Sequence, residues 1–382
     1  PGGAAGACAV MCGEGYALRD GRCVRSGPPR PLWPPSASNV TSRRPRFRWE
    51  PAPTFEGARL EVCRDRACAR VEQSLDLTGA ETSLPTDLEP GVHFWRLFGR
   101  DGATVSSVAS PVWEFFVGRR SAANIAAWGA VPDFNGDGLG DVAVGAYRVR
   151  EFTGRAHVYL GRASGLPATP DVSLDPSVRA STPAFGTSVA SVGDVNGDGF
   201  ADLAVSAPGL SSYLGVVYIY FGSPSGPSTR ADLILRDPVT MPGSRMGKVV
   251  AGLGDVNGDG YADLAASGET LSGSVYVFLG GPRGPAASPS MTLNALAYGG
   301  FGASIAGAGD VNCDGYGDMA IGEPRATRFG TATATGVAYL FFGGPSGFER
   351  VPGVTLLGAD EATSAFGESV AGVGDLDGDG FD

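Results

Sequence analysis

Lysine is almost absent from this 382-residue chain: Lys248 stands alone against 28 arginines. Histidine is nearly as scarce, with only His93 and His157. Two separated histidines exclude a multi-histidine metal centre and leave a hydrolase little choice of general base. No run approaches the ~18 consecutive apolar residues of a membrane-spanning helix, so no helical span is expected. Phosphate-cradling glycine motifs are missing as well, because the glycines belong to other patterns. A strongly basic surface is also lacking, since the net charge is -11, and this argues against a nucleic-acid partner.

What the chain has in abundance is Gly (60) and Pro (28), alongside 43% hydrophobic residues, a combination that reads as a folded, turn-rich β protein. The charge is unevenly placed. Residues 1–120 carry 16 Arg and 13 acidic residues, whereas 121–382 carry 13 basic and 27 acidic ones. Of those 27 acids, 15 fall at positions 1, 3, 5 or 9 of one repeated nine-residue loop, so the acidity belongs to a site.

The loop is written five times: Asp133-Phe-Asn-Gly-Asp-Gly-Leu-Gly-Asp141, Asp194-Val-Asn-Gly-Asp-Gly-Phe-Ala-Asp202, Asp255-Val-Asn-Gly-Asp-Gly-Tyr-Ala-Asp263, Asp310-Val-Asn-Cys-Asp-Gly-Tyr-Gly-Asp318 and Asp375-Leu-Asp-Gly-Asp-Gly-Phe-Asp382. Oxygen side chains recur at positions 1, 3, 5 and 9: Asp133, Asn135, Asp137 and Asp141; Asp194, Asn196, Asp198 and Asp202; Asp255, Asn257, Asp259 and Asp263; Asp310, Asn312, Asp314 and Asp318; and Asp375, Asp377 and Asp379, whose copy stops before its ninth residue. Gathering three carboxylates in one loop costs ~1 to 4 kcal/mol for each close pair unless a cation is bound. Hard oxygens without imidazole or thiolate favour Ca2+, one ion per loop and four to five in this chain. Position 7 is always large and apolar (Leu139, Phe200, Tyr261, Tyr316, Phe381), and is expected to bury its side chain while its carbonyl faces the ion. An EF-hand is excluded, because position 12 holds Val144, Val205, Ala266 and Ile321 where a bidentate Glu is needed, inside short apolar runs that read as strands.

Taken in order, residues 1–27 read as a small Cys-rich module and 28–36 as a stiff Pro-rich linker. Residues 37–118 alternate as short strands with tryptophans at inward positions, and look like a fibronectin type III or immunoglobulin-like β-sandwich. Of six cysteines, Cys63 and Cys68 would face across a tight hairpin and Cys12 with Cys23 brackets a short loop, so two disulfides in an oxidising compartment are expected. Cys8 and Cys313 have no evident partner, and Cys313 replaces the position 4 glycine of its own loop.

From 121 to 382 the loops recur at spacings of 61, 61, 55 and 65 residues, a period that means a propeller or another repeat array. Ahead of four loops lies an aromatic residue or Met followed by Gly (Phe185-Gly186, Met246-Gly247, Phe301-Gly302, Phe366-Gly367), and after each complete loop comes a turn such as Ser206-Ala-Pro208. Ser188 and Ser304 occupy one repeat position, which favours a structural role over a catalytic nucleophile. His157 takes the place of Tyr218, Tyr276 and Tyr339 and reads as packing; the sequence offers no partner for it or for His93.

This order of Phe-Gly, Asp-x-Asn-Gly-Asp-Gly-x-x-Asp and a Gly-Ala-Pro-like turn is similar to the FG-GAP repeat of integrin alpha chains and of many bacterial surface proteins. The resemblance implies an all-β chain: a β-propeller of four-stranded blades, four visible and the start of a fifth, with calcium in loops on one face and ligands on the opposite face. The integrin ring has seven blades, so the expectation is that either the native chain continues past Asp382 or the fragment is not stable alone. The function implied is a calcium-binding adhesion or recognition protein, secreted or on a cell surface, a bacterial outer surface included, which binds an extracellular protein or glycan. The alternative is the non-catalytic propeller of a secreted polysaccharide- or lipid-degrading enzyme.

Overall fold

The computed structural model describes residues 16–19, 22–25, 27–36, 38–40, 42–118, 126–128, 132–177, 183–210, 214–236, 244–269, 272–295, 299–312, 314–327, 335–358 and 364–373. Among them the chain is almost wholly strand and turn, and Val149–Phe152 is a tight turn in which Arg150, Glu151 and Phe152 have positive φ.

The N-terminal part is a two-sheet sandwich. Strands Arg30–Trp33, Arg46–Glu50 and Glu81–Ser83 form one sheet, and the other is built on Gly57–Cys63, Val71–Leu77, Gly91–Asp101 and Trp113–Val117. Alternation explains the core: Phe47 and Trp49 point inward from a strand whose Arg46 and Glu50 stay exposed, and they meet Leu60, Trp95, Trp113 and Phe115 from the facing sheet. Phe47 packs edge-on to Trp95 at 5.0 Å and to Phe115 at 5.6 Å, the geometry that ring quadrupoles favour. The stretch read as a linker differs from expectation. Arg30–Trp33 pairs with Arg46–Glu50 as an edge strand with Trp33 in the core, because prolines are tolerated at an edge where no ladder N–H is missed. A short strand, Ala126–Trp128, also joins this sandwich, antiparallel to Ser38–Val40.

Beyond it, antiparallel sheets follow in strict chain order. Three are four-stranded: Val189–Gly193 to Leu233–Arg236, Val250–Gly254 to Met291–Asn294, and Ser304–Gly309 to Val354–Leu357; the sheet before them shows three strands, Val142–Gly145, Ala156–Tyr159 and Val172–Leu174. Why they stack is legible in the third strand of each. In Val216–Tyr220 every residue is buried, yet its side chains part company: Val216, Tyr218 and Tyr220 join the core shared with the preceding sheet, and Val217 and Ile219 the core shared with the next. Ser274–Phe278 repeats this one sheet later, with Tyr276 and Phe278 facing back and Val275 and Val277 facing forward. Such strands need a sheet on both sides, which is the logic of propeller blades.

The first strands approach more closely still. A β-carbon on Gly252 would lie 2.8 Å from the Ser191 carbonyl oxygen, and one on Gly307 would lie 3.0 Å from that of Gly252. Each first strand also carries a bulge just before its loop, at 191–193, 252–254 and 307–309, which turns the chain into the nine-residue segment.

Candidate metal centres and the opposite cleft

Four of the five loops, the fourth without Cys313, lie within the described residues and fold alike; Cys313, Asp375, Asp377, Asp379 and Phe381 lie outside them. Position 1 is the hub. Its Oδ2 accepts the position 6 N–H in all four (Gly138 2.8 Å, Gly199 2.6 Å, Gly260 2.7 Å, Gly315 2.8 Å), and its Oδ1 accepts the N–H of position 5 (3.2, 3.0, 3.2 and 2.9 Å). Position 9 closes the loop at its base. Asp141, Asp202, Asp263 and Asp318 each accept from the N–H of position 2 and from a glycine two residues past the strand that pairs back on the one following the loop, Gly161, Gly222, Gly280 or Gly343. That second contact explains why a glycine recurs just beyond each of these strands, a link invisible in the spacing of the loops.

Positions 1 and 9 are buried in all four loops, whereas Asn135, Asp137, Asn196, Asp198, Asn257, Asp259, Asn312 and Asp314 at positions 3 and 5 are exposed or half-exposed. Burial raises the Asp141 carboxyl to about 6 and that of Asp318 to about 7. Burial, with the Asp194 carboxylate next in weight, drives Asp202 up too, and burial with Asp255 does the same to Asp263. Among the described residues no three acidic, histidine or cysteine side chains already converge on one point for a metal ion. The donor chemistry nevertheless fits a hard cation: buried carboxylates stand near one another, and their hydrogen bonds to backbone N–H groups leave lone pairs free.

Position 7 departs from expectation. Phe200, Tyr261 and Tyr316 are half-buried, and each reaches sideways onto the position 4 glycine of the loop before it. A β-carbon on Gly136, Gly197 or Gly258 would lie 2.7, 2.5 or 2.8 Å from that ring, and all three glycines have positive φ. Backbone bonds run the same way: the N–H of Ala201, Ala262 and Gly317 at position 8 donates to the position 1 carbonyl of the preceding loop at 3.2, 3.1 and 2.8 Å. The loops therefore lace neighbouring sheets as well as shaping their own.

The loops face the sandwich. Arg66 donates to the carbonyls of Gly197 (3.2 Å) and Gly260 (2.6 Å), pairs with Glu114 at 2.6 Å, comes within 4.0 Å of Asp194 and stacks over Tyr261 at 4.4 Å. Arg66 sits in the hairpin whose ends, Cys63 and Cys68, are joined with Cα atoms 5.1 Å apart. Burial pushes the Glu114 carboxyl well above the usual range, and the neighbouring Asp194 carboxylate adds to this while Arg66 opposes it.

At the opposite ends of the strands, the Phe-Gly segments and the turns after the loops enclose an open cleft of about 370 Å³. Lys248 and Glu269 pair at 2.6 Å in its wall, Phe301 supplies an apolar floor, and Arg325 and Glu368 stand exposed on its rim. The histidines lie elsewhere. His93 is buried, with its ring nitrogens 2.7 Å from Glu72 Oε2 and 2.7 Å from the Glu89 carbonyl, partners the sequence did not suggest; His157 is half-exposed and bonds Ser173 across the sheet at 2.9 Å. The repeated serine is structural: Ser188 Oγ accepts from the Val250 N–H at 3.1 Å and Ser304 Oγ donates to the Gly367 carbonyl at 2.8 Å, each spanning two sheets.

The profile of the FG-GAP repeat matches residues 126–159, 185–220, 249–278 and 301–341, the segments just described. The chain carries four FG-GAP repeats. Its relatives include integrin alpha-PS2 of Drosophila melanogaster, 33% identical over 210 residues, which are 50% of this chain and 14% of the relative. Integrin alpha-IIb of Mus musculus is 37% identical over 158 residues, covering 38% of this chain and 15% of that one, and integrin alpha-PS5 of Drosophila melanogaster 36% over 154 residues, covering 37% and 15%. The match thus spans about a seventh of these relatives' length. A solved rhamnogalacturonan lyase, YesW, aligns at a TM-score of 0.31 and 8% identity over 84% of this chain and 69% of that one, a likeness too slight to carry an argument. No helix among the described residues is long and apolar enough to cross a membrane.

Proposed function

We propose that this FG-GAP chain is a recognition module of an extracellular or cell-surface adhesion protein, with calcium held in its loops and an extracellular protein or glycan bound at the opposite end of the sheets. The observation that carries the reading is one oxygen-lined loop folded identically in four FG-GAP repeats, in a chain whose relatives are integrin alpha chains. The ion would be held by positions 1, 3, 5 and 9 with the position 7 carbonyl: Asp194, Asn196, Asp198, Asp202 and Phe200 in the second loop, and their equivalents in the others. Bound there, calcium supplies charge neutralisation. The buried carboxylates fix the loop, and the loop fixes its neighbour through the position 7 ring and the position 8 N–H.

Because the sandwich covers the loop end, the free end carries the ligand. The cleft beside Lys248, Glu269, Phe301 and Arg325 offers paired charges and one aromatic surface, which suits a polar protein loop or a sugar. Titration calorimetry with calcium, followed by protein and glycan arrays with and without chelator, tests both halves. Calcium uptake with chelator-sensitive binding is expected; no heat at millimolar calcium overturns the metal assignment, and binding untouched by Lys248→Ala and Arg325→Ala overturns the cleft.

A further inference from the structure

The end of the sheets that presents the loops is an interdomain interface. Three loops each offer a main-chain carbonyl to a donor of the sandwich: Gly197 and Gly260 to Arg66, Gly258 to Trp113 Nε1 at 3.4 Å, and Asp314 to Arg30. Arg30 also lies over the Tyr316 ring at 5.6 Å, as Arg66 does over Tyr261. The fit is close: a β-carbon on Gly260 would lie 2.2 Å from the Val112 carbonyl oxygen, and one on Gly315 would lie 3.2 Å from Leu32 Cδ2.

We propose that Arg66 is a positioning residue for the calcium loops, so that calcium binding at residues 194–202 and 255–263 and seating of the sandwich on the sheets are one coupled equilibrium, each favouring the other. Arg66 reads carbonyl positions, and those positions exist only when the loops are closed around their carboxylates. Its own charge is met by Glu114 from the same sandwich, so it does not take the place of the ion. Arg66 Nη2 lies 2.6 Å from Glu114 Oε2 and 4.0 Å from Asp194 Oδ2, so one guanidinium faces both the sandwich and the loop carboxyl. Binding the ion without the sandwich leaves the Gly197 and Gly260 carbonyls to water.

This inference rests on the calcium reading above, and the experiment separates the two. Calcium titration of the full chain is compared with Arg66→Ala, with Arg66→Lys, and with Arg59→Ala, whose pair with Asp76 lies on the sandwich surface. Interdomain distance is followed in parallel by energy transfer between dyes on the sandwich and on the sheets. Coupling predicts that Arg66→Ala weakens two of the sites by about fivefold or more, with Arg66→Lys between it and the parent and Arg59→Ala unchanged. It also predicts that chelation of the unmodified chain lengthens the interdomain distance. Calcium binding that is normal in Arg66→Ala, with a distance indifferent to chelator, overturns the coupling and leaves the calcium sites standing. No calcium binding in the unmodified chain overturns both.

Discussion

At the residue scale, glycine is constrained here by two demands at once. Gly258 holds φ at +73° and lies under the Tyr316 ring, whereas Gly281 has open space around its α-carbon. Gly258→Ala is therefore expected to lower stability by about 1 to 3 kcal/mol and Gly281→Ala to leave the melting midpoint within error. Removing the ring with Tyr316→Ala should shrink the Gly258→Ala penalty, and a double-mutant cycle by denaturant unfolding measures this. His93 gives the pH dependence. Burial lowers its pKa below the ordinary value of 6.5, against the pull of the Glu89 carbonyl and Glu72 and with Arg64 adding to the drop. The unfolded chain accepts a proton near that value that the folded chain refuses, so this contribution is full above about pH 6.5 and is lost as pH falls below it. His93→Gln should flatten that part of the stability profile between pH 7 and 5.

At the element scale, the aromatic or Met before each glycine is a wedge between consecutive sheets. Phe185 and Met246 are fully buried, whereas Phe366 at the last such position is 38% exposed. Phe185→Ala is expected to cost about 3 to 5 kcal/mol and Phe366→Ala less than half as much, measured by chemical unfolding. The hairpin presenting Arg66 is closed by the Cys63–Cys68 bond and by Asp65, which accepts from the N–H groups of Ala69 and Arg70. Closing so short a loop is worth about 2 kcal/mol. The double variant Cys63→Ser with Cys68→Ser should lose about that much, and should weaken calcium binding in the same sense as Arg66→Ala.

At the scale of the whole molecule, stability is shared between apolar cores that alternate along the array and loops that lace one sheet to the next. Calcium, bound as proposed, would act on the second set. At free calcium about 100-fold above the dissociation constant each occupied loop adds about 2.7 kcal/mol, so thermal melting should shift upward on calcium addition and fall back with chelator. The shift should depend on calcium concentration, and an unchanged midpoint would sink the assignment.

The sequence by itself determined the repeats, their strand-loop-strand character and the oxygen positions of the loops. These rest on local rules: period-two burial, turn glycine, and carboxylate spacing within nine residues. Short spacing also sufficed for the Cys63–Cys68 pair. What only the tertiary structure decided lies between residues far apart in the chain. Tyr261 and Tyr316 look like anchors of their own sheets, yet they pack on Gly197 and Gly258 of the sheet before, because a stacked sheet buries the outward side of its neighbour's loop. Arg30 and its prolines read as a linker, yet a free sheet edge recruits them as a strand. Arg66 lies 131 residues from Gly197 and 194 from Gly260, a separation at which no local pattern operates and only the docking of two folded units brings donor to acceptor.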